Sequence, residues 1–154
     1  MAGSDRVTPQ GEQFFREIKE LTKLQVRVGF QHGEATDEKS GADLADVAMW
    51  NELGTANSPP RPFLRQSVDN NESRIRAACQ AGLSAIASGE KTAKDVLQML
   101  GTLQKGLIQE TIRNGSFEPN APPTIKKKGS ARPLIDTGRM RQSVNFVIKE
   151  KGGE

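Results

Sequence analysis

Between Thr92 and Asn114 the chain commits to a single long helix, and no other segment constrains the fold as strongly. Thr92 with Asp95 has the spacing of a capping box, in which each side chain accepts the other residue's backbone N–H. Asn114-Gly115 supplies the stop. One apolar stripe runs through Val96, Leu100, Leu103 and Leu107, and a second through Leu97, Ile108 and Ile112, with Gly101 between them. An arc that wide must be covered on two sides. The core of its own domain takes one side. The other is either buried within the same monomer or meets a neighbouring subunit.

A second long helix precedes it, starting near Phe63 and ending at Ser88-Gly89, with a stripe of Leu64, Val68, Ile75, Cys79, Leu83 and Ile86 that is interrupted around Asn70 to Glu72. The connection is short, so the two helices form an antiparallel hairpin. Thr8-Pro9 marks a further helix start, with threonine as N-cap and proline at the first helical position, and Phe14, Ile18 and Leu21 carry an amphipathic helix to about Lys23. Val26, Val28 and Phe30 then alternate with Gln25, Arg27 and Gly29 as a short strand.

Residues 31–40 are polar and without periodicity, which reads as a mobile loop. A helix over about Ala42 to Leu53 places Leu44, Val47 and Ala48 on one face, with Trp50 beside them as a core residue and Gly54 as C-cap. Thr55 to Pro62 is proline-rich and connects. Towards the end, a short helix to about Ser143 leads to a strand of Val144, Phe146 and Ile148, followed by a frayed tail over 149–154. Two strands alone are marginal in water, so they must pair with each other or with a neighbour and rest on the hairpin. The expected fold is α+β and mostly helical: one domain over 1–154, in which a long antiparallel helical hairpin packs on a small antiparallel sheet.

At 154 residues the chain can bury one core without covalent staples. Hydrophobic content of 34% with 5% aromatic residues, no tyrosine and one tryptophan makes that core modest. Part of its stability is therefore expected to come from neighbours. No run of about eighteen apolar residues predicts a membrane span, and no signal peptide is read at the N-terminus. One cysteine excludes an internal disulfide and suits a reducing cytoplasm.

The net charge of +3 is mild, but its distribution is not even. Glu34, Asp37, Glu38, Asp43, Asp46 and Glu52 face only Lys39 in the middle of the chain, whereas Arg113, Lys126, Lys127, Lys128, Arg132, Arg139 and Arg141 outnumber Glu118 and Asp136 later. Such zones suit head-to-tail packing of copies, basic on acidic. The plainer reading is two solvated surfaces.

Catalytic and cofactor chemistry finds little support. His32, the only histidine, sits in the polar loop without an obvious carboxylate or cysteine partner. Cys79 falls on an apolar stripe and reads as a buried structural thiol. No P-loop, dinucleotide fingerprint or nucleophile elbow occurs, so no enzyme, metal or cofactor is expected. Lys126-Lys127-Lys128 is the best nucleic-acid candidate, although no aromatic residues are interleaved for stacking.

Two segments read as contact elements. In Arg61-Pro62-Phe63-Leu64-Arg65, Pro62 sets the start of the helix, Phe63 and Leu64 anchor it, and Arg61 and Arg65 are placed to bond carbonyls or carboxylates. In Arg132-Pro133-Leu134-Ile135-Asp136-Thr137-Gly138-Arg139-Met140-Arg141-Gln142-Ser143, Leu134 and Ile135 anchor a docking corner, Asp136 and Thr137 precede a short helix with Thr137 as N-cap, and Arg139 and Arg141 follow on that helix.

With Val26 to Gly29 as a Val-x-Val-Gly strand and Asn51-Glu52-Leu53-Gly54-Thr55 as a helix end, these motifs stand in an order that resembles the tail-completion and head-to-tail joining (neck) proteins of lambda-like tailed bacteriophages. Gly115-x-Phe117-x-Pro119 and Thr124-Ile125-x-x-Lys128-Gly129 add to the likeness, which spans Val26 to Ile148. The resemblance implies a structural virion protein, assembled in the host cytoplasm, that forms a ring, usually sixfold, at the neck or upper tail end. Its partners would be further copies of itself and neighbouring neck, tail-terminator or tail-tube proteins, with phage DNA passing by and no membrane. The alternative is a small nucleic-acid-associated module using the basic C-terminal third.

Overall fold

The computed structural model describes residues 6–37, 40–114 and 138–152. In chain order the elements are α1 (Pro9–Lys23), β1 (Leu24–Gly29), α2 (Leu44–Leu53), α3 (Phe63–Asp69), α4 (Glu72–Ala87), α5 (Ala93–Asn114), α6 (Gly138–Gln142) and β2 (Asn145–Glu150). The architecture is α+β and mostly helical, with a two-stranded antiparallel sheet.

α5 organises the fold, touching α1, α3, α4, α6 and both strands. Its apolar arc is used within the chain: Ala93, Val96, Leu97, Gly101, Leu107, Ile108 and Ile112 are all buried. The expected capping box forms, with the Thr92 N–H donating to Asp95 Oδ2 at 3.0 Å and the Asp95 N–H to Thr92 Oγ1 at 3.2 Å. A third donor of that first turn is met from outside the helix. The Ala93 N–H reaches Glu17 Oε2 on α1 at 2.7 Å, which ties α1 to the hairpin.

α1 starts and stops where the residues predict, capped by Thr8, whose side chain accepts from the Gly11 N–H at 3.1 Å. Leu24 is extended at the C-cap, so the chain passes directly into β1. That strand pairs with β2 in a register that sets Val26 opposite Ile148 and Val28 opposite Phe146.

Two close approaches fix how α5 sits. A Cβ on Gly101 would lie 2.5 Å from the Phe146 ring, and one on Gly82 would lie 2.6 Å from Val96 Cγ1. Glycine therefore lets the sheet and α4 approach α5 to backbone distance. The main core cluster joins Ala48, Phe63, Ile108, Ile112, Met140 and Val144, with Phe30 edge-on to Phe63 at 6.0 Å between ring centroids.

Several expectations are corrected. The helix expected from Phe63 to Ser88 is two helices, because the Asn71 side chain donates to the Ser67 carbonyl at 2.9 Å and diverts the backbone there. The break shifts the helical phase. Val68 and Leu83, placed on one buried stripe by assuming a continuous helix, are 43% and 48% exposed, and Cys79 is only half-buried. Trp50, expected in the core, is 47% exposed. The tail expected to fray from Lys149 is strand to Glu150, and the Lys151 N–H still donates to the Lys23 carbonyl at 2.7 Å.

Candidate interaction site

Two of the sequence motifs, Asn51 to Thr55 and Arg61 to Arg65, form one corner. Gly54 ends α2 with φ of 78°, and its N–H donates to the Trp50 carbonyl at 2.9 Å. That conformation favours glycine, and a side chain there would also lie 2.8 Å from the Pro60 nitrogen. Thr55 and Ser58 exchange backbone hydrogen bonds across the turn, and the Arg61 N–H returns to the Asn51 carbonyl at 2.6 Å.

Glu52 closes the corner. Its carboxylate accepts from the Leu64 N–H at 2.8 Å and from the Arg65 N–H at 3.1 Å, meeting two of the donors that the first turn of α3 leaves open. Negative charge at that end of a helix is also favoured by the helix dipole. Pro62 supplies no side-chain cap, so Glu52 does from another element what a local cap does elsewhere. Replacing Glu52 by alanine is expected to destabilise the fold by about 1–2 kcal/mol, the cost of a lost helix cap. Urea denaturation checks this, and an unchanged midpoint would show that water replaces the carboxylate at no cost.

The other expected contact residues fall out as follows. Phe63 is fully buried and Leu64 half-buried, so both anchor the corner as predicted. Arg65 is exposed and Arg61 half-buried, and Arg61 interacts within the chain. On α6, Arg139 is exposed and Arg141 half-buried, flanking the buried Met140. Gln109 Nε2 on α5 donates to the Arg141 carbonyl at 3.1 Å, which fixes α6 to the long helix. Leu134, Ile135, Asp136 and Thr137 lie outside the described residues, as do Lys126, Lys127 and Lys128.

Beside the corner, an apolar groove of about 330 Å³ is lined by Val28, Phe30, Ala48, Met49, Leu53 and Leu64, among others. It continues onto the outer face of α2. Met49, Trp50 and Leu53 are 49%, 47% and 69% exposed there, a contiguous apolar surface that the sequence reading missed. Seven of the ten residues of α2 are apolar and they point nearly all round, so periodicity alone could not tell the buried face from the exposed one.

Asp43 was missed as well, although it stands at the N-cap. Its Oδ1 accepts from the Ala45 N–H at 2.9 Å, and its Oδ2 from the Gly33 N–H at 2.8 Å. His32 Nδ1 lies 3.4 Å from the same oxygen, so the histidine read as lacking a carboxylate partner has one eleven residues on. The loop read as mobile over 31–40 is thereby tied, in its described part, to the first turn of α2. Asp43 is held below the usual carboxylate range by the Gly33 and Ala45 N–H groups, with His32 adding to them. Asp95 is lowered in the same way, by the backbone and then the side chain of Thr92.

Chemically, Glu52, Asp43 and Asp95 spend their oxygens on backbone N–H groups, which is structural work. Among the described residues no group of three or more His, Cys, Asp or Glu side chains is placed to hold a metal ion, and no helix is long and apolar enough to cross a membrane. The arrangement is a hydrogen-bonded corner beside an exposed apolar helix face. Comparison of the chain with protein-family models, with curated proteins and with solved structures finds no match.

Proposed function

We propose that this chain is a structural virion protein of a tailed bacteriophage, forming a ring at the neck or upper end of the tail that completes the tail and allows it to join the head. It acts by contact and carries out no catalysis. Its partners are further copies of itself, in a ring whose usual symmetry in such tails is sixfold, and the adjoining neck, tail-terminator or tail-tube proteins.

The observation that carries this reading is the order of the motifs, from Val26 to Gly29, through Asn51 to Thr55 and Arg61 to Arg65, to Pro133 to Ser143. The corner in which Glu52 joins two of them supports it, since it gives the motifs a shared structural task. So does the exposed apolar face of α2, because a surface of that kind is covered by a partner more often than by water.

Negative-stain electron microscopy of the purified protein tests the reading. Rings without nucleic acid are expected, whereas monomers that gain order only with DNA would establish the nucleic-acid-associated module instead. In the phage that encodes the chain, Arg139→Glu is expected to leave the protein folded and to make heads and tails accumulate separately. Normal numbers of complete virions in that lysate would remove Arg139 from the joining surface.

A further inference from the structure

The two faces of the sheet differ. Val26 pairs with Ile148 and Val28 with Phe146, and side chains of directly paired residues share a face. Because the Phe146 ring lies on Gly101, that face is the one packed on α5. The outer face carries Gln25 opposite Lys149 and Arg27 opposite Val147. At its end the Lys151 N–H bonds the Lys23 carbonyl, adding two more cations. Arg27 is exposed, and the helices packed most closely on the strands among the described residues are α5, on the inner face, and α1, where it runs into β1.

The outward face of α2 is its complement. Asp46, Met49, Trp50 and Leu53 stand at i, i+3, i+4 and i+7, one stripe on the side opposite the buried Leu44 and Ala48. The stripe is apolar with one carboxylate, Asp46, at its N-terminal end.

We infer that these surfaces are the two halves of one contact between copies of this chain, with the outer face of α2 in one copy lying across the outer sheet face of the next. The inference rests on the ring reading above and names its interface. Charge complementarity selects the occupant: Asp46 meets the cluster of Lys23, Arg27, Lys149 and Lys151, while Met49 and Leu53 cover Val147 and the aliphatic stems of the basic side chains. Trp50 is the kind of residue that anchors such contacts, and its ring can take a cation over its face. Arg27 and Lys149 also interact within their own chain. A nucleic acid would satisfy the cations but leave the apolar face of α2 uncovered. Since the two halves are different surfaces, the contact is head-to-tail and closes into a ring when the rotation allows.

With one tryptophan and no tyrosine, Trp50 reports on its own burial. Light scattering and tryptophan emission of the full chain, followed against concentration, should show mass rising as emission shifts to the blue. Leu53→Lys, which removes apolar cover and sets a like charge against the basic face, and Lys149→Glu should each weaken self-association by about tenfold or more, the loss typical of a hot-spot residue, with far-UV circular dichroism unchanged. Mixed together they should form a dimer and stop, because each variant keeps one intact half.

Assembled particles with Trp50 emission unchanged would overturn this contact while leaving the ring reading intact. A mixture that stays monomeric would also overturn it. A blue shift that needs added duplex DNA, and disappears in Lys149→Glu, would assign the basic face to nucleic acid. A protein that remains monomeric at every concentration and shows no rings by microscopy would overturn both readings.

Discussion

Phe63→Ala is expected to lower the free energy of unfolding by about 3–5 kcal/mol, the range for truncating a large buried aromatic side chain. Phe63 is 0% exposed, sits at the first position of α3 and shares a cluster with Ala48, Ile108, Ile112, Met140 and Val144. Removing the ring takes an edge-on partner from Phe30 and leaves a void where α2, α3, α5 and α6 meet. Small domains hold about 5–15 kcal/mol in total, so the variant is expected to be poorly folded at 37 °C. Urea denaturation followed by circular dichroism measures it. A loss under about 1 kcal/mol would mean that the cluster collapses into the void and that Phe63 anchors nothing.

Gly101→Ala is expected to destabilise the fold although alanine is the better helix former. Intrinsic propensity favours the alanine by about 1 kcal/mol. Against that, the new methyl would stand 2.5, 2.6 and 2.9 Å from three ring atoms of Phe146, distances at which the sheet must move away from α5 or the ring must leave its rotamer. Overpacking of this kind costs about 1–3 kcal/mol, so the net effect is loss and Gly101→Val should lose more. A double-mutant cycle isolates the cause. In a Phe146→Ala background, Gly101→Ala should become neutral or stabilising, because the propensity gain remains and the clash is gone. If Gly101→Ala stabilises the wild-type chain, α5 and β2 do not approach as closely as described.

Much of the fold was legible in the chain because its signals are local. Thr8-Pro9, the Thr92 and Asp95 pair and Gly54 act through hydrogen bonds and dihedral preferences within a few residues, and the structure places the corresponding helix ends there. Alternation at Val26 and Val28, and at Phe146 and Ile148, likewise sufficed for the two strands, and the structure pairs them with each other. The break at Asn70-Asn71 was visible as an interruption of the stripe. Its consequence was not, since whether a helix continues through two asparagines depends on whether Asn71 turns back to the Ser67 carbonyl.

The candidate site divides along the same line. Sequence alone determined that Arg61 to Arg65 begins a helix anchored by Phe63 and Leu64, and that Asn51 to Thr55 ends one, because capping and turn chemistry are properties of neighbouring residues. Only the tertiary structure decided that Glu52 serves both, reaching the Leu64 and Arg65 N–H groups across the turn. It alone decided that Asp43 gathers Gly33, Ala45 and His32, and that Trp50 faces outward while Ala48 faces the core. A helix apolar on nearly every side gives no periodic signal of which face is covered; that choice is made by the elements that pack against it, and they are brought there by contacts distant in the chain.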